Sequence, residues 1–161
     1  MPTPPDVIRS APLWPHGEIS LMHLVRRAGQ HSSVCWAHCV DTGLSAVQYA
    51  ILVVLAEETT CDQQTLGHRA GFDKATGTYV IDRMTKSGLL HVEVDPENRR
   101  RKRVSMTPDG MAMMAQMVEQ ARNAEKMITA ALSEQDSADL KRLLSKLTGV
   151  QPPDEPGAPG R

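Results

Sequence analysis

The sequence predicts a mainly α-helical fold with a small two-stranded β-wing, arranged as a winged helix-turn-helix between flanking N- and C-terminal dimerisation helices. Three observations lead to this prediction. Apolar residues recur at helical spacing through most of residues 18–148. A Val-rich alternating segment, 89–94, is followed by turn residues and a second short segment, 103–106, as in a hairpin. The turn leads into five consecutive cations, residues 99–103, which suit the phosphates of duplex DNA.

Composition limits the possible classes of protein. The chain has 161 residues and 40% hydrophobic residues, enough for one domain with arms, and its net charge of −1 means that any affinity for nucleic acid has to come from local clustering. Three cysteines make no disulfide framework and suit a reducing compartment. No segment reads as a signal peptide or membrane helix, so we expect a soluble, cytoplasmic protein.

The ends of the chain differ from its middle. Residues 1–17 contain five prolines and little periodicity, which predicts an extended N-terminal arm. Residues 18–42 show helical spacing, and Gly43 is placed to end that helix. Residues 149–161 are rich in Pro and Gly, which predicts a disordered tail.

The middle of the chain, about residues 45–107, carries the signals of a DNA-binding winged helix. Ser45 with Gln48 forms a capping-box pattern, and Thr60 or Asp62 is placed to cap a third helix that ends at Gly71. A fourth helix begins after Asp73 and stops at Ser87-Gly88. This fourth helix occupies the recognition position immediately before the hairpin.

Two further helices follow the hairpin, within residues 108–148. Thr107-Pro108 begins a long helix and Ser133 caps the last one. Apolar stripes run along both helices: Met114, Met117, Val118, Ala121, Glu125 and Ile128 on the first, and Leu140, Leu143, Leu144 and Leu147 on the second. These stripes and residues 18–42 exceed what a small winged helix can cover, so we expect a homodimer.

Three motifs near the hairpin carry a family resemblance: GLL at residues 88–90, DPENRR at 95–100 and VSMTPDG at 104–110. They are similar to the GLV, D-x-R wing-tip and V-x-L-T-x-x-G pattern of the MarR family of winged helix-turn-helix regulators, and the resemblance spans residues 18–148. It implies a homodimer that binds a pseudo-palindromic operator and leaves it when a small molecule binds. Asn98 stands where the family usually has an aspartate, and Arg100 matches the family's wing arginine.

The predicted DNA contacts lie on the recognition helix and the wing. Residues near the N-terminus of such a helix meet base edges, while cations at a wing tip enter a groove or meet phosphates. The alternative for any one of them is a solvated surface side chain. The candidates are Lys74, Thr76, Thr78, Tyr79, Arg83, Lys86, Arg99, Arg100 and Arg101.

A row of basic residues on the first helix suggests an effector site. His23, Arg27 and His31 recur every four residues, and an arginine fork binds a carboxylate in two-point fashion. His16 and Tyr49 are placed to complete such a pocket. The resemblance implies the ligand class, a small aromatic or heteroaromatic carboxylate of the salicylate, benzoate or hydroxynicotinate type. A solvated helix edge is the alternative interpretation of the row.

Three residues of the first helix, Cys35, His38 and Cys39, leave a second function open. Buried packing is the ordinary role of such cysteines, whereas the spacing also suits a metal- or thiol-redox-sensing regulator on the same scaffold. An interaction module without DNA binding is a third possibility. The chain lacks P-loop, G-x-S-x-G and HExxH motifs, so we expect no enzyme and no cofactor.

Overall fold

The computed structural model describes residues 19–150, and these form six helices and a small sheet. None of the described helices is long and apolar enough to cross a membrane. The predicted arm and all but the first two residues of the predicted tail lie outside this range. The elements are α1 (Leu21–Cys39), α2 (Ala46–Glu58), β1 (Thr60–Asp62), α3 (Gln63–Ala70), α4 (Lys74–Lys86), β2 (Leu90–Val94), β3 (Lys102–Met106), α5 (Pro108–Ile128) and α6 (Glu134–Thr148).

The hydrophobic core lies in the DNA-binding lobe, which comprises α2 to β3. Leu52 of α2, Leu66 of α3 and Met84 of α4 are fully buried in one cluster. Val104 of the sheet belongs to the same cluster. Their burial explains why three short helices are stable, since isolated helices of 8 to 13 residues are marginal in water. The apolar spacing of the fourth helix predicts that Val80, Ile81 and Met84 face inward; Ile81 and Met84 are buried, and Val80 packs half-buried against the core.

The sheet has three strands rather than the two predicted for the wing. β3 lies in the centre and pairs antiparallel with both neighbours, so that Val104 is opposite Cys61 on one side and Val92 on the other. The added strand, β1, is only three residues long and pairs with residues more than 40 positions away, so no local sequence pattern predicts it. It fixes the base of the wing to the start of α3.

The predicted helix caps are confirmed from α2 onwards, whereas the first helix ends earlier than predicted. Ser45 and Gln48 form the capping box, and Asp62, Asp73, Thr107 and Ser133 each accept a backbone N–H at their helix start. The first helix is shorter than the predicted residues 18–42. It ends at Cys39, because Val40 is already extended, and Gly43, with φ of 75°, lies in the connection to α2.

Two glycines are explained by close packing. A Cβ on Gly77 would lie 2.4 Å from the Phe72 ring, so the ring can pack against the first turn of α4 only where this residue has no side chain. A Cβ on Gly110 would lie 2.3 Å from the carbonyl oxygen of Leu89. The helix propensity lost at Gly77 is therefore offset by packing between the turn and the recognition helix.

The flanking helices have a different character. α1 packs along α5, and Asp41 exchanges two hydrogen bonds with Gln120 of α5, at 2.7 and 3.3 Å. Of the apolar stripe predicted on α5 only Met117 is fully buried, whereas Glu125 is exposed and pairs with Lys141 of α6. The last helix has no buried residue. Its predicted leucines are 37–63% exposed within one chain.

Candidate nucleic-acid interface

The recognition helix, α4, is fixed at its start by a cap and along one side by the core. The carboxylate of Asp73 accepts the backbone N–H of Thr76 at 2.8 Å, and this hydrogen bond holds the pKa of Asp73 below its usual range. Ile81 and Met84 anchor the inner side. The opposite side of the helix is therefore presented outward as a rigid surface.

Every recognition-helix residue predicted to contact DNA lies on that exposed side. Tyr79 is 66% exposed, which is unusual for a large aromatic residue and leaves its ring available to another molecule. Lys86 donates to Asp82 at 2.7 Å, and this ion pair raises the pKa of Lys86. The exposed set comprises Lys74, Thr76, Thr78, Tyr79, Arg83 and Lys86.

Asn98, which stands where an aspartate is usual in the resembled family, shapes the wing tip through two hydrogen bonds. The side-chain oxygen of Asn98 accepts a hydrogen bond from the backbone N–H of Arg100 at 3.1 Å. The backbone carbonyl oxygen of Asn98 accepts one from the backbone N–H of Arg101 at 2.8 Å. Asn98 therefore folds the turn through the backbone, as Asx turns do. The three predicted wing contacts, Arg99, Arg100 and Arg101, are all exposed.

The five cations of the wing are not equivalent. Arg103 faces Asp95 at 3.5 Å and is committed to the base of the wing. Within residues 19–150, the ion pairs leave Arg99 and Arg100 uninvolved. Arg101 lies close enough to Asp62 that its charge adds to the hydrogen bonds, chiefly from Thr65, that lower the pKa of Asp62. The tip thus presents positive charge that no ion pair among the described residues neutralises at Arg99 and Arg100, while the Asp95–Arg103 ion pair braces the strand ends that carry it.

Two clefts flank the recognition helix, and they reveal residues that sequence reasoning missed. A cleft of about 570 Å³ lies between α3 and the start of α4, and one of about 320 Å³ lies between α4 and the sheet. Gln63 lines both, whereas Asp82 and Lys102 line the second. The position of Gln63 directly after the cap of α3 was visible in the sequence, but its approach to α4 depends on how the two helices cross.

The predicted effector residues are only partly brought together. Arg27 is exposed on α1, and the neighbouring Arg26 donates a hydrogen bond from Nη2 to Nδ1 of His23 at 3.1 Å. His31 lies further along, half-buried. Tyr49 belongs to α2 and packs on Trp36, with ring centroids 5.6 Å apart. His16 lies outside the described residues. Neither cleft beside the recognition helix contains any of these residues.

The cysteine cluster of α1 does not form a metal site. Cys35 is buried beneath His31, whose Nε2 is 3.7 Å from its sulfur, whereas His38 is exposed. Within the part of the chain that is described, no group of three or more His, Cys, Asp or Glu side chains is arranged to hold a metal. Burial, with a contribution from Cys39, raises the pKa of Cys35, which disfavours the reactive thiolate.

Comparisons with known proteins agree with this arrangement. The model of the MarR family matches residues 44–102, which include α2 to the wing tip. The transcriptional regulator HosA of Escherichia coli O111:H- is 30% identical over 129 residues, covering 80% of this chain and 84% of HosA. The transcriptional repressor NicR of Pseudomonas putida is 26% identical over 126 residues, covering 78% of this chain and 80% of NicR.

A solved structure extends the likeness to the whole described fold. BpsR of Bordetella bronchiseptica, described with regulation of its DNA binding by 6-hydroxynicotinic acid, superposes with a TM-score of 0.74. It is 29% identical, and the match covers 80% of this chain and 98% of BpsR. The likeness therefore includes the flanking helices as well as the lobe. The chain belongs to the MarR family of winged helix-turn-helix transcriptional regulators.

Proposed function

We propose that the protein is a homodimeric repressor that binds an inverted-repeat operator and is released by a small aromatic or heteroaromatic carboxylate. The observation that carries this proposal is the joint exposure of the recognition helix and the wing tip on one rigid lobe. Tyr79 and Arg83 face outward on the helix, and Arg100 stands at the tip. Such a helix fits the major groove while the wing reaches the flanking groove.

A second copy of the chain is the simplest cover for the flanking helices. Leu21, Leu24 and Val25 of α1 are 48–65% exposed, and Leu143 and Leu147 of α6 are 54% and 63% exposed. Exposed apolar stripes on two long helices are typical of surfaces that bury against a partner. Two-fold symmetry places two recognition helices on one side of the dimer, which predicts a pseudo-palindromic operator.

The names of relatives support the repressor and ligand assignments. NicR is a repressor, and the DNA binding of BpsR is regulated by a hydroxylated nicotinic acid. In this chain Arg27 supplies an exposed guanidinium beside two imidazoles, His23 and His31, on the same side of α1. A guanidinium binds a carboxylate through two parallel hydrogen bonds, so Arg27 is the proposed partner of the effector's charge.

Release requires only that the effector prefers one arrangement of the two lobes. A ligand that binds the DNA-incompetent arrangement about 100-fold better shifts the equilibrium by about 2.7 kcal/mol. The α1–α2 connection, held to α5 by Asp41 and Gln120, joins the proposed pocket to the lobe. A change in α1 is thereby passed to the spacing of the recognition helices.

The test is a gel-shift titration with hydroxylated benzoates and nicotinates. We expect Arg27→Ala to raise the effector concentration needed for release, with nearly unchanged operator affinity when the effector is absent. The matched control is Arg122→Ala, which removes an exposed arginine paired with Glu119 on α5. Neutral amides of the same acids should be poor effectors of the parent. Equal responses of parent and Arg27→Ala, or no active acid below millimolar concentration, would refute the pocket.

A further inference from the structure

A hydrogen bond joins the two helices of the helix-turn-helix at the surface that faces DNA. Gln63, the first residue of α3, donates from Nε2 to Oγ1 of Thr78 on the recognition helix, at 3.0 Å. The Thr78 hydroxyl in turn donates to the carbonyl oxygen of Lys74, also at 3.0 Å. Gln63 is thus held against the recognition helix, although it belongs to a different element.

This pair of bonds fixes which way the Gln63 amide points. A threonine hydroxyl has a single proton, and Thr78 uses it on Lys74, so towards Gln63 it can only accept. The NH₂ group of Gln63 therefore faces Thr78, and the amide oxygen is left for another partner. Because the amide nitrogen carries two protons, one N–H also remains after Thr78 has been satisfied.

The location of the amide suits a contact with bases. Gln63 and Thr78 are the two residues that line both clefts flanking the recognition helix, so they stand on the ridge between them. The second cleft continues past Tyr79 to Lys102, which pairs with Val94 directly below the wing tip. A duplex seated on α4 and the wing would lie over this ridge.

We propose that Gln63 is a specificity-determining residue that reads adenine in the operator and that Thr78 holds it in the reading orientation; the inference rests on the proposed operator binding. The remaining N–H and the amide oxygen of Gln63 match the two groups that adenine shows in the major groove, the N7 acceptor and the N6 donor. Thr78 acts as a positioning residue because its hydroxyl is already committed to Gln63 and Lys74.

The competing use of such an amide is a bond to a phosphate, which would carry no sequence information. The two uses give different results when binding sites are selected from a randomised duplex. Loss of a phosphate contact weakens binding to every sequence alike. Loss of a base contact removes the preference at one position of each half-site and leaves the other positions unchanged.

The experiment is site selection with the full chain, followed by affinities for matched duplexes differing at that position. The parent should prefer A·T there, and Gln63→Ala should lose the preference by about tenfold or more. Gln63→Glu should move the preference from adenine to cytosine, because a carboxylate accepts from the cytosine amino group. The control is Gln135→Ala, which removes an exposed glutamine at the start of α6 and should keep the parent's preferences.

Variants of Thr78 test the positioning role. Thr78→Val keeps the shape but lacks the hydroxyl, and should weaken the same preference, while Thr78→Ser should retain it. The double variant with Gln63→Ala should lose no more discrimination than Gln63→Ala alone. Unchanged preferences in Gln63→Ala, or a uniform loss at all sequences, would overturn the inference while leaving the proposed function standing. A parent that selects no inverted repeat would overturn both.

Discussion

The DNA-binding lobe and the flanking helices differ in how far their apolar residues are buried. In the lobe, Leu52, Leu66 and Met84 are fully buried by neighbours from the same chain. In α6, by contrast, Leu143 is 54% exposed and no residue is buried. The lobe is therefore a folded unit within one chain, whereas the flanking helices have an apolar surface that residues 19–150 of the same chain leave exposed. We infer that stability of the lobe and assembly of the dimer can be altered separately.

Removal of the last helix is expected to have the largest effect on this comparison. Cutting the chain after Leu132 deletes the exposed leucine stripe of α6, so dimerisation should be lost while the lobe stays folded. A single lobe loses the advantage of two linked contacts, about 10²–10⁴ in operator affinity. Sedimentation measures whether dimerisation is lost, and circular dichroism measures whether the lobe stays folded. A truncated chain that remains a dimer would place the interface elsewhere.

A pair of leucine substitutions sharpens the comparison. Leu52→Ala in the lobe should lower the free energy of unfolding by about 2–5 kcal/mol, because it empties a fully buried site. Leu143→Ala, its counterpart in α6, should mainly raise the dimer dissociation constant. Denaturant unfolding at two protein concentrations separates these effects, because only the destabilisation caused by Leu143→Ala should depend on protein concentration. Similar, concentration-independent losses in both variants would mean that the two regions are not distinct.

Two wing arginines should differ in the kind of loss they cause. Arg100→Ala should weaken binding to the operator by about 1–3 kcal/mol if the side chain enters a groove. Arg101→Ala should lower affinity for all duplexes alike and reduce the salt slope by about one unit, as expected for a phosphate contact. Anisotropy titrations of operator and random duplex at several salt concentrations measure both. Parent-like binding by both variants would exclude the wing from the interface.

The smallest expected effect concerns Asp62, which joins β1 to α3. Its lowered pKa means that the ionised form stabilises the folded lobe; this contribution is present above the unfolded pKa, near 4, and is lost as pH falls through the lower folded value. Asp62→Ala should cost about 1 kcal/mol at neutral pH, and Asp62→Asn less, since asparagine also caps. Unfolding between pH 2 and 7 should show a weaker acid dependence in both variants, and an unchanged dependence would contradict this origin.

Sequence reasoning succeeded where the determinants are local. The caps at Ser45, Asp73 and Ser133 depend on residues within one helical turn, and all are confirmed. The hairpin was confirmed for the same reason, since its two strands are separated by a short turn. Outward placement of the predicted DNA contacts on α4 followed from the spacing of its inward residues.

It failed where distant parts of the chain meet. β1 is paired with residues more than 40 positions away, which no local pattern indicates. The predicted stripe on α5 overestimated burial within one chain, because most of its members are only half-buried and Glu125 pairs with α6. The proposed effector site combines residues of α1 with Tyr49 of α2, and no local pattern determines how such residues face one another.

The most direct test of the account is a footprint of the full-length protein on an operator selected from genomic fragments, combined with the stoichiometry of the complex. We expect two chains per duplex and a two-fold symmetric footprint, with half-site centres about 10 bp apart. Arg100→Ala should weaken protection on both half-sites equally. A footprint on a direct repeat, or one chain bound to a single half-site with full affinity, would contradict the central claim that a symmetric pair of winged helices holds the DNA.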